Sequence, residues 1–384
     1  MDSPRGRIYL MRALDEGRAQ ITDTFSEHMF RCLDCRACET VCPSGVHFGQ
    51  MMEDTRADIV SKRPAHWIAR LMLRHVFPYP GRFHFVSRLL QIYQRTGMQS
   101  AVRATGILRL VAPGMAKAET LMPDLPRNEA GVTAGKTYPA EGERVGTVAF
   151  FTGCVMNSML GAINRASVRL LNAAGYDVVV PAGQVCCSAL ANHAGLRDTA
   201  VEAARRNVAA FSDPGSGPGI EAIIINAAGC GAMLKEYPHI LESAAGFSSK
   251  VKDISEFLAT TRLASRLKVP LNKRVGYDDP CHLIHGQRIK TEPRQLLKAI
   301  PGIEFVEVEG ADQCCGSAGI YNIVQNDLSM AVLDAKMEQI RKAGLDVLAT
   351  GNPGCMFQFQ YGARRAGLNL EVVHPVELLA RALG

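Results

Sequence analysis

Residues 186–195 read CCSALANHAG and residues 314–323 read CCGSAGIYNI, two pairs of adjacent cysteines in similar settings. Each pair is framed in the same order, with Cys154 before and Cys230 after Cys186-Cys187, and Cys281 before and Cys355 after Cys314-Cys315. Corresponding cysteines are 127, 128 and 125 positions apart. The repeat extends beyond them, since KVKDISEFLA at 250–259 resembles EVVHPVELLA at 371–380. A period of that length is too long for a solenoid unit and suits a duplicated domain.

Within each half, short β-branched or apolar runs alternate with longer amphipathic ones, the pattern of βαβ units on a parallel sheet. The first half predicts strands over 146–152, 177–181 and 222–226, and helices over 157–174 and 194–211. The second predicts strands over 274–278, 303–308 and 346–350, and helices over 291–300, 326–343 and 356–366. Every single cysteine or pair then follows the carboxyl end of a strand. In an open parallel sheet those ends share one edge, where ligands bind. Three loops of a half can therefore unite four thiols that are distant in sequence.

The strongest local motif lies near the start, in RCLDCRACETVCPSGV at 31–46. Cys32, Cys35, Cys38 and Cys42 form a C-x2-C-x2-C-x3-C-P run, the bacterial ferredoxin spacing for an iron–sulfur cluster. Structural zinc sites more often use two separated pairs. In two-cluster ferredoxins the fourth cysteine of such a run ligates the other cluster. Cys42 therefore either closes a local cluster or belongs to one whose other ligands precede Met1. Adjacent cysteines suit zinc poorly and can bridge iron atoms; a strained vicinal disulfide is the alternative chemistry. His193, His282 and His285 flank these loops, where they are expected to cap helices or satisfy backbone groups; hydrogen bonding to sulfur is the sharper role.

The 384 residues, 47% hydrophobic and 21% charged, fit two or three globular domains. Twelve cysteines in a chain whose N-terminus has no apolar signal segment suit a reducing compartment and metal or redox chemistry. No apolar run reaches the roughly 18–20 residues of a spanning helix. The net charge of +6 gives little reason to expect nucleic acid. From Ile59 to Ala118 there is no Asp or Glu and there are ten Lys or Arg. This stretch predicts helical connector, broken at FPYPGR and VAPG, with a basic solvent face or a docking face for a partner subunit or an anionic membrane. MPDLPRNEAGVTAGKTYPAEGE then reads as a linker and GSGPG at 215–219 as a turn. GVTAGKT at 131–137 has one residue too few between its glycines for a P-loop, and no G-x-G-x-x-G suits NAD or FAD.

Together DSPRGRIYLMRAL, the N-terminal cysteine run, GCVMN, CCSALANHAG, DPCHLIHGQ, QCCGSAG and NPGC resemble the iron–sulfur subunit of glycolate oxidase (glycolate dehydrogenase). That family sits in the CCG-domain group with lactate-utilisation proteins and heterodisulfide reductase subunits. The resemblance covers essentially the whole chain. It implies an α/β fold of duplicated Rossmann-like CCG domains with parallel sheets, preceded by a small, mostly helical ferredoxin-like module. The implied division is a partial 4Fe-4S module at 1–62, a basic helical connector and linker at 63–143, and CCG domains at 144–264 and 265–384.

All twelve cysteines are the implied metal ligands, with no catalytic residue for substrate in this chain. The implied function is electron transfer in a flavin-dependent 2-hydroxy-acid dehydrogenase, oxidising glycolate to glyoxylate. FAD is expected only on flavoprotein partner subunits, and electrons pass to a quinone-type acceptor. The implied location is cytoplasmic, with peripheral contact at the inner face of the cell membrane as an option. Lactate utilisation and thiol–disulfide reduction are the alternatives. The family has an earlier cysteine run before the DSPRGRI segment, so a first-cluster segment is expected upstream. CCG domains close with C-x-x-C, whereas here Met233 and Gln358 stand where a fifth cysteine is expected.

Overall fold

The computed structural model describes residues 1–63, 67–125, 131–212 and 219–384. Nearly all of the expected GSGPG turn and the middle of the expected linker, 126–130, lie outside these residues.

Among the described residues nine strands form two sheets. The first contains β1 (Lys136–Tyr138), β2 (Gly146–Phe150), β3 (Tyr176–Val180), β4 (Ile220–Ile225) and β5 (Val251–Asp253), in the order β1-β3-β2-β4-β5. The second contains β6 (Lys273–Tyr277), β7 (Ile303–Val306), β8 (Val347–Ala349) and β9 (Glu371–Val373), in the order β7-β6-β8-β9. Apart from β1, which runs antiparallel to β3, every pairing is parallel. Without β1 the two orders are identical, so the duplicated cysteine pattern is a duplicated topology.

β2 and the 222–225 stretch of β4 are buried throughout because helices cover both faces of a parallel sheet. Val148, Phe150, Ile224 and Ile225 are fully buried. The predicted strands recur within one or two residues. Three do not follow from composition: β5 and β9 lie inside the noted KVKDISEFLA and EVVHPVELLA repeat, and β1 lies in the stretch read as linker. That reading is corrected by the pairing of Lys136, Thr137 and Tyr138 with Val180, Val179 and Val178.

The halves share one continuous core. Helix Gly161–Ala173 of the first packs on Pro375–Ala382 of the second, while Ile254–Leu258 of the first packs on Thr291–Lys298 of the second. The exchange is reciprocal, as in an isologous dimer interface. Arg266 fastens the seam by donating to the Ala173 carbonyl at 2.7 Å.

The N-terminal module is built on helices Pro4–Asp15, Asp23–Phe30 and Phe48–Lys62. The first starts at Ser3, whose hydroxyl accepts from Gly6 N–H, with Pro4 at the first helical position. Thr22 caps the second in the same way. Met11, Phe25, Met29, Phe48, Met52 and Ile59 form its core, with Cys32 and Cys38 packed at the margin. Beyond it run helices Trp67–His75, Pro80–Arg95, Met98–Thr105, Ile107–Val111 and Pro113–Thr120, with breaks at both expected Pro-containing sites.

Candidate metal centres

β3, β2 and β4 are adjacent, and the chain leaves the carboxyl end of each into a cysteine-bearing loop or helix. Cys154 opens helix Cys154–Met159 after β2, Cys186-Cys187 follow β3, and Cys230 lies in helix Ala228–Lys235 after β4. β7, β6 and β8 do the same for Cys314-Cys315, for Cys281 ahead of the π-helix His282–Gly286, and for Cys355 in helix Pro353–Ala366. Strand order reverses at β2 and at β6, the place where open α/β sheets bind ligands.

The sulfurs converge. Cys154 Sγ lies 3.4 Å from Cys186 Sγ, and Cys187 bridges Cys186 and Cys230. By donating to Cys186, Cys154 and Cys187 are pushed well above the usual thiol range, and Cys186 is held well below it. In the second half Cys315 Sγ lies 3.3 Å from Cys355 Sγ, and Cys281 reaches Cys314. All twelve cysteines are free thiols, so neither adjacent pair is a disulfide.

One backbone device occurs three times. The N–H of the residue two positions after a cysteine turns back to its sulfur: Asp34 to Cys32 at 3.4 Å, Ser188 to Cys186 at 3.3 Å and Gly316 to Cys314 at 3.4 Å. The turning residues are left-handed, with φ of 55°, 60° and 86°. At position 316 only glycine fits, because a Cβ would lie 2.6 Å from the Ser329 carbonyl oxygen. An N–H aimed at sulfur favours thiolate over thiol. Soft donors in fours, with amides aimed at them, are a donor set for iron–sulfur chemistry, and the residues present fit such a group.

Cys32, Cys35 and Cys38 also gather, and burial pushes Cys35 and Cys38 up to about 11. Cys42 differs: its sulfur faces the N–H groups of Val46, Ser44 and Gly45, which lower its pKa. The module sits against the second half closely enough for Cys35 to feel the charges of Cys281 and Cys314. Thr40 Oγ1 meets His285 Nδ1 at 2.9 Å, and Tyr321 donates to the Arg31 carbonyl at 2.9 Å. Buried Arg36 joins Glu39 to Glu236.

Towards the first half an ionic node takes over. His193 Nδ1 lies 3.0 Å from Glu53 and 3.3 Å from Asp34. Burial opposes its charge, but the two carboxylates outweigh it and raise His193 to about 10. Arg56 lies 3.6 Å from Asp34 and donates to the carbonyls of Met29, Cys32 and His193. The carboxylates are thus neutralised by side chains of the protein itself. His282, its ring 5.2 Å from His193, is lowered to about 3, first by burial and then by the charge on His193.

Of the three histidines, His285 satisfies a backbone carbonyl, that of Asp312 at 2.9 Å, as expected. His193 instead links domains, and His282 Nδ1 lies 3.6 Å from Cys281 Sγ. Spacing did not reveal Asn352. Its side chain accepts from Gly229 N–H at 3.2 Å and donates to Cys355 Sγ at 3.5 Å, tying a cysteine helix of one half to a sulfur of the other. Gln358, in place of a fifth cysteine, is engaged with Asn322 and Ser329, and Met233 is buried against Asn192.

A family model described as a cysteine-rich domain, CCG, matches residues 148–235 and again 275–360. A second, described as the linker region of the glycolate oxidase iron–sulfur subunit, matches 64–122. The whole chain aligns at 41% identity with a probable glycolate oxidase iron–sulfur subunit of Bacillus subtilis, spanning 88% of that protein. It aligns at 31% identity with the glycolate oxidase iron–sulfur subunit of Escherichia coli, again over all of this chain and 88% of the relative. Lactate utilization protein A of Oceanobacillus iheyensis is 28% identical over 60% of this chain and 96% of its own length. Cysteine-rich halves, connector and whole-length likeness agree: the chain belongs to the family of glycolate oxidase iron–sulfur subunits.

Proposed function

We propose that the twelve cysteines hold 4Fe-4S clusters and that the chain relays electrons from a flavoprotein partner, which oxidises glycolate to glyoxylate at FAD, to a quinone-type acceptor. The domain division proposed is 1–62, 63–143, 144–264 and 265–384, the second segment lending β1 to the sheet of the first CCG domain. The proposed location is cytoplasmic, against the inner face of the membrane. The observation that carries the reading is the convergence of sulfurs remote in sequence at the carboxyl edge of each sheet, with Cys154 3.4 Å from Cys186 and Cys315 3.3 Å from Cys355.

A cluster carries one electron at a time, whereas a 2-hydroxy acid releases two at a flavin, so clusters in series suit the task. The protein's part is to supply thiolates, exclude water and fix polarity at sulfur. The N–H groups of Asp34, Ser188 and Gly316 stabilise negative charge on Cys32, Cys186 and Cys314, and Asn352 does so on Cys355. Such donors favour the more negative, reduced state and raise the potential.

The test is anaerobic reconstitution of the full chain with iron and sulfide, metal and acid-labile sulfide counting, and EPR of the dithionite-reduced protein. Equal iron and sulfide, with EPR signals lost on adding a soluble quinone, are expected. Zinc without acid-labile sulfide overturns the reading.

A further inference from the structure

Helix Pro80–Arg95 turns apolar side chains as well as arginines outward. Polar Ser87 and Gln91 are buried beside Phe83, while Phe85, Leu89 and Ile92 are 62%, 49% and 51% exposed. Their i, i+4, i+7 spacing places them on one stripe, with exposed Arg88 among them. Leu71, Ile107, Leu110 and Val111 in neighbouring helices are exposed as well. Single apolar residues on a surface need no explanation, but a sorted stripe marks a surface that is covered in use.

Charge identifies the cover. The segment Ile59–Ala118 contains no Asp or Glu. Arg63, Arg74 and Arg103 pair with Asp23, Asp198 and Glu119, and Arg82 lies over the Tyr79 ring. Among the described residues Arg88 has no carboxylate within ion-pair distance. A second copy packed isologously would bring two acid-free segments together and leave Arg88 without a carboxylate partner. A bilayer with anionic headgroups accommodates both parts, taking the apolar side chains into the acyl boundary and the guanidinium among phosphates.

We propose that this stripe docks the chain on an anionic phospholipid surface. The inference deepens the reading above and rests on it only for an acceptor dissolved in the bilayer; the exposed apolar stripe stands independently.

Trp67, the only tryptophan of the chain, is 68% exposed one helix earlier and provides a native reporter. The full-length protein should co-sediment with phosphatidylcholine vesicles containing phosphatidylglycerol, with Trp67 emission moving to shorter wavelength. Vesicles of phosphatidylcholine alone should do neither. Arg88→Gln should weaken binding roughly fivefold, and added salt should weaken it further. The combined variant F85S/L89S/I92S should abolish it while far-UV circular dichroism and cluster EPR stay unchanged, because all three side chains are exposed. Equal binding to both vesicle types, or full binding by the combined variant, overturns the proposal. So does a dimer, or a complex with the flavoprotein, that forms in the absence of vesicle binding and is lost in the combined variant. Vesicle binding without cluster signals would instead retain the docking surface and sink the electron-transfer reading.

Discussion

His193→Gln tests whether the ionic node holds the N-terminal module on the first half. Glutamine keeps a donor of similar reach but removes the charge that compensates Glu53 and Asp34. The rise of His193 from 6.5 to about 10 corresponds to about 5 kcal/mol favouring the charged ring in the folded state. Arg56 remains beside Asp34 in the variant, so the net loss should be smaller, about 3 kcal/mol, the lower end for breaking a buried pair. That loss is expected as local opening, read as a roughly 150-fold fall in hydrogen-exchange protection of helix Phe48–Lys62. The pH dependence has a definite sign. A histidine raised on folding contributes fully below its unfolded value of 6.5, and the contribution is lost as pH rises through about 10. After correction for intrinsic exchange, protection in the wild type should decline between those limits, and in the variant it should stay flat. Unchanged protection in the variant, or wild-type protection that grows with pH, refutes the assignment.

Gly316→Ala should destabilise by about 2–4 kcal/mol in urea titrations, since it adds left-handed strain and a clash with the Ser329 carbonyl; Gly344→Ala, left-handed but in open space, should cost about 1 kcal/mol. Asn352→Ala removes a donor to Cys355, and a hydrogen bond worth ~1 kcal/mol more to the reduced state should lower one midpoint potential by about 40 mV in EPR-monitored redox titration. Cys35→Ser should lower the iron content and remove an EPR signal. Cys42→Ser should leave the signal of the Cys32–Cys35–Cys38 group intact; its loss would place Cys42 in that group.

The large strands were legible because β-branched runs bounded by turn residues have few other uses, and the shared sheet edge followed from parallel topology. The three-residue strands β1, β5 and β9 were not, since three residues carry no periodicity and pairing alone makes them strands. The cysteine groups could be anticipated from repetition, but the docking of the N-terminal module on the second half could not, because Thr40 with His285 and Arg31 with Tyr321 are far apart in sequence. Asp34, Glu53, Arg56 and Asn352 act through partners remote in sequence, and no local spacing announces such contacts. Histidines near cysteines suggested helix caps, and for His193 the two buried carboxylates decided otherwise.

The reciprocal exchange of helices between the halves constrains the order of events on the ribosome. Helix Gly161–Ala173 receives its cover, Pro375–Ala382, only when about 200 further residues have been made. At roughly 5–20 residues per second the delay is about 10–40 s. Once β5 has been made, the first sheet and its four thiols are complete while this apolar helix still lacks its cover. A truncation that removes only helix Pro375–Ala382 should therefore expose apolar surface on residues synthesised long before it.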